Sequence, residues 1–281
     1  MTGDRARCGL DYAPAGTLPG LLQRGRGLGA RMAAEDPSAA AGLVYGCVRW
    51  DWRWDWRWDW RWDGQADSRH LYLARLIRDL GLSPEPVTAL LTADRDTCER
   101  ATRVLELLAL GGSAQAREAL REHVREGGHG LGPQAPPRGD HRPDPGPDLD
   151  PGVPALVAEL ERCWVERQWC GPDGTALGLA RFGAGAGGAV SLLRRFWLWT
   201  PHSYERTAYL EALAAIGPAG LADAYAECLW DCEESARLLG VERAPDGPVV
   251  RERLAYLRDD PMEEAAVRAA ARVRLAVFAG G

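Results

Sequence analysis

LALGGSAQAREALREHV, residues 108–124, closes one amphipathic stretch at Gly111–Gly112 and opens another at Ser113. Apolar residues keep helical spacing on both sides of that break. Ala101, Val104, Leu107 and Leu108 mark one stripe, and Ala116, Leu120 and Val124 mark the other. A helix that ends on glycine and is followed at once by another is one unit of a helix pair. The first string of this stretch has echoes along the chain. LARLI (73–77), LALGG (108–112), LARFG (179–183) and LAAIG (213–217) start 35, 71 and 34 residues apart, the middle gap being about two periods. After the last two strings a small-residue turn again leads into a fresh amphipathic stretch, AGAGGAVSLLRRF (184–196) and PAGLADAYAECL (218–229). A period of that length is the mark of stacked helical units. The spacing predicts an all-α chain, an α-solenoid of antiparallel helix pairs.

Around this frame the chain divides by composition. Residues 1–64 are expected to be disordered or loosely attached, being rich in Gly, Ala, Arg and Pro without a sustained period. Within them LVYGCVRW (43–50) fits either one short strand or a buried turn of helix. Residues 65–126 hold the N-terminal helical repeats, with Asp67 or Ser68 as N-cap of the first helix and Gly81 at its end. Residues 127–152, Gly-, Pro- and Asp-rich with almost no apolar residues, read as a flexible linker. Helical repeats resume over 153–281, including one continuous stretch, AGLADAYAECLWDCEESARLLG (219–240).

RWDWRWDWRWDWRWD (49–63) is a tetrapeptide tandem. As a helix it would stack Arg on Arg and Asp on Asp at i,i+4, where like charges repel. As extended chain it would place Trp50 to Trp62 on one face and alternating Arg and Asp on the other. Three uses fit it: an expanded loop, a Trp face for self-association, or stacking on single-stranded nucleic acid. The last is the weakest, because each Arg is cancelled by an Asp and binding to a phosphate backbone needs net positive charge.

The formal charge of −6 also argues against a nucleic-acid partner. All 34 basic residues are Arg, and the chain has neither Lys nor Asn; a GC-rich coding sequence explains both, so composition reports genome bias before function. No run reaches the roughly 20 apolar residues of a membrane span, and no signal peptide is visible, so no membrane partner is expected. Seven Cys without such a signal suggest reduced thiols and a cytoplasmic location.

No constellation for chemistry stands out. Cys228 and Cys232 are four apart, one helical turn, and Cys163 and Cys170 would complete four thiols, but neither spacing is that of a zinc knuckle. His70, His123, His129, His141 and His202 lack metal-binding spacing. His129 and His141, with Asp140 and Asp144, would form at most an adventitious metal tail. His202 reads as a capping or exposed residue. Glu233–Glu234 and Glu263–Glu264 read as solvated helix faces. No catalytic residue, cofactor site or metal site is assigned.

The tail DDPMEEAAVRAAARVRLA (259–276) resembles a HEAT-like repeat, an Asp-Pro turn followed by Val-Arg-x-Ala-Ala on the packing helix. Asp260, Pro261, Val267, Arg268, Ala270 and Ala271 carry the match, with two extra residues between its halves. RWDGQADSRHLYLARLIRDLGL (61–82) is similar to a recurring piece of actinobacterial HEAT-like proteins. The resemblance implies a solenoid that recognises partners, and it supplies no catalytic residues. The expected function is therefore a protein–protein interaction scaffold without catalysis of its own. The alternatives are a helical-repeat enzyme or accessory of lyase-like type, and self-association through the Trp string. The polar residues of the second helices are the expected binding face: Arg117 and Arg121 in one, Arg194 and Arg195 with Trp197 in another, and Asp223 and Glu227 in a third. Arg and Trp are the residue types that most often anchor interfaces.

Overall fold

The computed structural model describes residues 12–50, 69–127 and 151–280. In chain order the α-helices are α1 (Leu18–Gln23), α2 (Gly27–Glu35), α3 (Pro37–Arg49), α4 (Arg69–Asp79), α5 (Glu85–Thr88), α6 (Arg95–Leu110), α7 (Ala114–Arg125) and α8 (Val153–Glu166). They continue as α9 (Pro172–Ala180), α10 (Val190–Trp199), α11 (Arg206–Ile216), α12 (Ala222–Cys228), α13 (Glu234–Arg243), α14 (Pro248–Asp259) and α15 (Ala265–Gly280). No strand occurs among the described residues, and none of their helices is long and apolar enough to cross a membrane. The protein is all-helical, with many packed helices. Its described residues fall into two units: a central one (12–15 and 151–221) and a discontinuous one (16–50, 69–127 and 222–280).

In the discontinuous unit α4 is the core helix. Eight of its eleven residues are buried, so it has no solvent face and its Arg69 and Arg75 lie inside. α3 and α6 pack against it. α6 begins at Asp94, whose carboxylate accepts the Thr97 amide at 3.1 Å, and it buries Ala101, Val104, Leu105 and Leu108. It stops at Gly111–Gly112, Gly112 having φ +102°, a value that suits glycine. Ser113 then caps α7 by accepting the Ala116 amide at 3.2 Å. The sequence stripes hold here with one exception: Val124 is 58% exposed, because α7 buries only Ala116 fully.

The N-terminal expectation is corrected over residues 12–50, which form α1 to α3. LVYGCVRW is helical, with Val44 and Val48, one turn apart, fully buried. Composition misleads because Ala and Gly let helices approach closely. A Cβ at Gly27 would lie 2.0 Å from the Glu227 carbonyl oxygen, so α2 meets α12 backbone to backbone. The expected continuous helix around Cys228–Cys232 is also corrected. α12 ends at Cys228, and the chain turns so that the Cys232 amide donates to Gly25 O at 2.9 Å. Of the Trp string only Arg49 and Trp50 are described; Asp51–Asp63 lie outside the described residues, as do Asp67, Ser68 and the histidines of the proposed metal tail.

The central unit is built on α9 and α11, which pack closely, with α8 and α10 completing the group. Leu160, Leu179, Leu193, Phe196, Tyr209, Leu210 and Leu213 are its fully buried large hydrophobic side chains, and Arg206 is buried with them. α8 ends at Arg167, which sits in the left-handed region at φ +56°, while Gln168 N donates back to Cys163 O at 2.9 Å. The chain then reaches the turn Trp169–Cys170–Gly171 that leads into α9.

Candidate functional site: a thiol–imidazole pair and an arginine–tryptophan face

Two regions of the central unit are candidates for a functional site. The first joins the entrance of α9 to the loop before α11. Cys170 is exposed, and its Sγ lies 3.1 Å from Nε2 of His202. Of the two readings its sequence context allows, capping or exposed, exposure is corrected: His202 is 8% exposed and stands at the N-cap position of the short turn Ser203–Glu205, without a side-chain cap bond. Its position follows from the Thr200–Pro201 bend, where the His202 amide donates to Thr200 Oγ1 at 3.2 Å. Glu205, fully buried, ties the two segments together. Its Oε1 accepts the Gly171 amide at 3.1 Å, and its Oε2 accepts the Tyr209 hydroxyl at 2.7 Å and the Thr200 hydroxyl at 3.2 Å. Burial pushes the Glu205 carboxyl up to about 8, against the pull of the His202 charge and of these hydrogen bonds. Tyr209 is in turn stacked on Phe196, with ring centroids 5.6 Å apart. The carboxyl thus holds the residue after the cysteine and the residue two before the histidine, on a rigid aromatic floor.

The second region lies on α8 and α10. Trp164 meets Trp169, Phe196 and Trp199 edge-on at 5.6, 5.6 and 6.2 Å. Two guanidinium groups approach its ring, Arg167 at 5.3 Å and Arg195 at 6.0 Å. Arg194 donates to Ala219 O at 2.8 Å. Among the described residues none of Arg167, Arg194 and Arg195 has a carboxylate partner, whereas Arg162 on α8 is matched by Glu159 and Glu166. Val165 is 78% and Leu198 40% exposed on the same helices, and Trp197 is half-buried. Of the expected binding residues, Arg194, Arg195 and Trp197 therefore share α10. Arg117 and Arg121 lie on α7 in the other unit, where Arg121 pairs with Glu118 at 3.1 Å and Arg117 donates to Gly112 O at 3.2 Å.

Other sequence readings are corrected. Glu227, expected on a binding face, is buried: its carboxylate takes both arms of Arg26 at 2.7 and 2.9 Å. Glu263, expected to be solvated, is buried between Arg75 and Arg237. Cys228 and Cys232 are buried in the discontinuous unit, whereas Cys163 and Cys170 belong to the central one. Burial pushes the Cys163 thiol up to about 11, helped by Glu159, to which it donates at 3.6 Å. Among the described residues no group of three or more His, Cys, Asp or Glu side chains is placed to hold a metal ion. Sequence reasoning missed Cys170, His202 and Glu205 as a group because the cysteine and the histidine are 32 residues apart. The available signal was a cysteine directly before Gly-Pro at a helix start. Compared with family models, curated proteins and solved structures, the chain matches none.

Proposed function

We propose that the protein is an interaction scaffold of HEAT-like type, its helix pairs presenting a surface to another protein, without chemistry on that partner. The observation that carries this reading is the Trp164 ring with Arg167 and Arg195 against it, next in the chain to the exposed Val165. Three guanidinium groups without carboxylate partners leave this face with surplus positive charge, and the ring and Leu198 add apolar surface. That combination suits an acidic protein segment carrying an apolar or aromatic side chain. The balanced charges of α7 make Arg117 and Arg121 secondary contributors, since exposed ion pairs contribute little.

The test compares the protein with its Arg167→Glu/Arg195→Glu variant as bait in a lysate of the source cell, with circular dichroism to show that the fold is kept. A partner retained by the wild type should be lost at least tenfold in the variant, and its binding should weaken with salt. Equal capture by both baits, or turnover of a substrate at a rate these residues do not affect, defeats the proposal.

A further inference from the structure

We infer that Cys170 is a built covalent-modification site, a thiol activated by His202 to attack low-molecular-weight disulfides. Four independent features converge on it. Cys170 is an exposed residue, so a reagent can approach it from solvent. An imidazole nitrogen stands 3.1 Å away on a ring that is nine-tenths buried and so held in place. The thiol stands one residue before Gly171, the N-cap of α9, a nine-residue helix whose N-terminal dipole favours a thiolate. Finally, Glu205 clamps both segments that carry the pair.

Groups near the pair include Tyr204, whose ring lies 5.5 Å from that of His202, Glu205 with Asp173 and Tyr209 acting on its carboxyl, and the fully buried Arg206 that follows Glu205 in the chain. Asp173 opposes the thiolate, whereas the high proton affinity of Glu205 removes most of a second negative charge at neutral pH.

The step balances as an exchange. The Cys170 thiol gives its proton to His202 Nε2, and the thiolate sulfur attacks one sulfur of the disulfide. A new S–S bond forms on Cys170 and the old one breaks. The leaving thiolate departs with the bonding pair and takes the proton from His202. The disulfide is reduced to one thiol and one mixed disulfide, and no other reactant is consumed. Acyl transfer fits this site less well. A tetrahedral oxyanion needs donors, but the Gly171 amide is committed to Glu205, residue 172 is proline and Asp173 is acidic.

The experiment uses the full, reduced chain with oxidised glutathione as probe at pH 6, where an ordinary thiol with a pKa near 8.5 is about 0.3% thiolate. The mixed disulfide is located by peptide mass spectrometry. In the folded protein Cys170 should be modified about tenfold faster or more than in the urea-unfolded chain, and ahead of half-buried Cys47 and Cys98. His202→Gln, if folded by circular dichroism, should fall to the unfolded rate, with its reactivity rising only as pH approaches that of an ordinary thiol. The folded-against-unfolded ratio stands even if that variant does not fold. A ratio near one, first modification of another cysteine, or an undiminished rate in folded His202→Gln would overturn the inference.

Discussion

Glu205 has to be charged in the unfolded chain and is largely neutral in the folded one at pH 7. A carboxyl raised to about 8 by burial holds its proton between the unfolded value near 4.3 and pH 8. Over that window the folded state binds more protons, so stability falls as pH rises, by at most about 1.4 kcal/mol per pH unit. Its contribution is fully present below pH 4 and is lost through pH 8. Glu205→Gln should flatten this fall in the central unit. Amide exchange in α9 and α11, corrected for the intrinsic rate at each pH, measures it; a wild-type protection independent of pH from 5 to 8 counts against the assignment. A second residue with a sharp expectation is Gly27. With a Cβ directed at the Glu227 carbonyl oxygen 2.0 Å away, Gly27→Ala must push α2 from α12 and lengthen the Arg26–Glu227 bonds. The cost should be about 3 kcal/mol or more, in the range of overpacking plus a weakened buried ion pair, read as a lower urea midpoint. Neither residue announces itself in the sequence. One is an acid before a helix, the other one glycine among 33, and only what surrounds each sets its role.

At the scale of elements, the buried arginines of α4 and α13 explain how the C-terminal turn is held. Arg75 bonds Asp260 at 2.7 Å and Glu263 at 3.0 Å, Arg237 takes Glu263 with two bonds at 3.0 and 2.8 Å, and Arg78 reaches Asp260 at 2.8 Å. Tyr256 on α14 closes the group, donating to Asp79 at 2.5 Å and receiving a bond from Arg78. Arg253 lies over the same ring at 4.0 Å, and burial lowers its guanidinium to about 10. The Asp-Pro turn that resembles a repeat motif is thus also an acidic plug for buried cations. Removing one partner leaves the other charge unmatched in the interior. Arg237→Met should cost about 3–5 kcal/mol, and Glu263→Gln in the same background should recover part of it, as a double-mutant cycle would show. Burial pushes Asp260 and Glu263 up, but the arginines outweigh it and leave both lowered. Their contribution is therefore present above about pH 4 and is lost as pH falls below that. Periodicity identifies α4 and α14 but runs α13 together with α12, and it is silent on the network, because a charge pattern alone does not distinguish a solvated acid from one facing a buried arginine.

For the whole molecule these two carboxyl environments predict opposite pH responses. Protection of α4, α13 and α14 should be lost on acidification, and that of α9 and α11 on going from pH 5 to 8. Exchange read unit by unit checks this, and a common response of the same sign would contradict it. Core substitutions should separate in the same way. Leu213 and Leu108 are 0% and 4% exposed; replacing either by Asp should cost roughly 3 kcal/mol or more, with the first effects in α9–α11 for Leu213→Asp and in α4, α6 and α7 for Leu108→Asp. The sequence by itself determined the helical class, the glycine stops at 81 and 111–112, the serine cap at 113 and most of the buried stripes, because these depend on interactions within a few residues along the chain. Tertiary structure alone decided that the Ala- and Gly-rich segment 12–50 folds, that Glu227 and Glu263 are buried, and that Cys170 meets His202. Each of those depends on which distant backbone or charge arrives beside a residue, and the energy of such a meeting, whether a desolvated ion pair, a close backbone contact or a proton held by burial, exists only once the chain has brought the partners together.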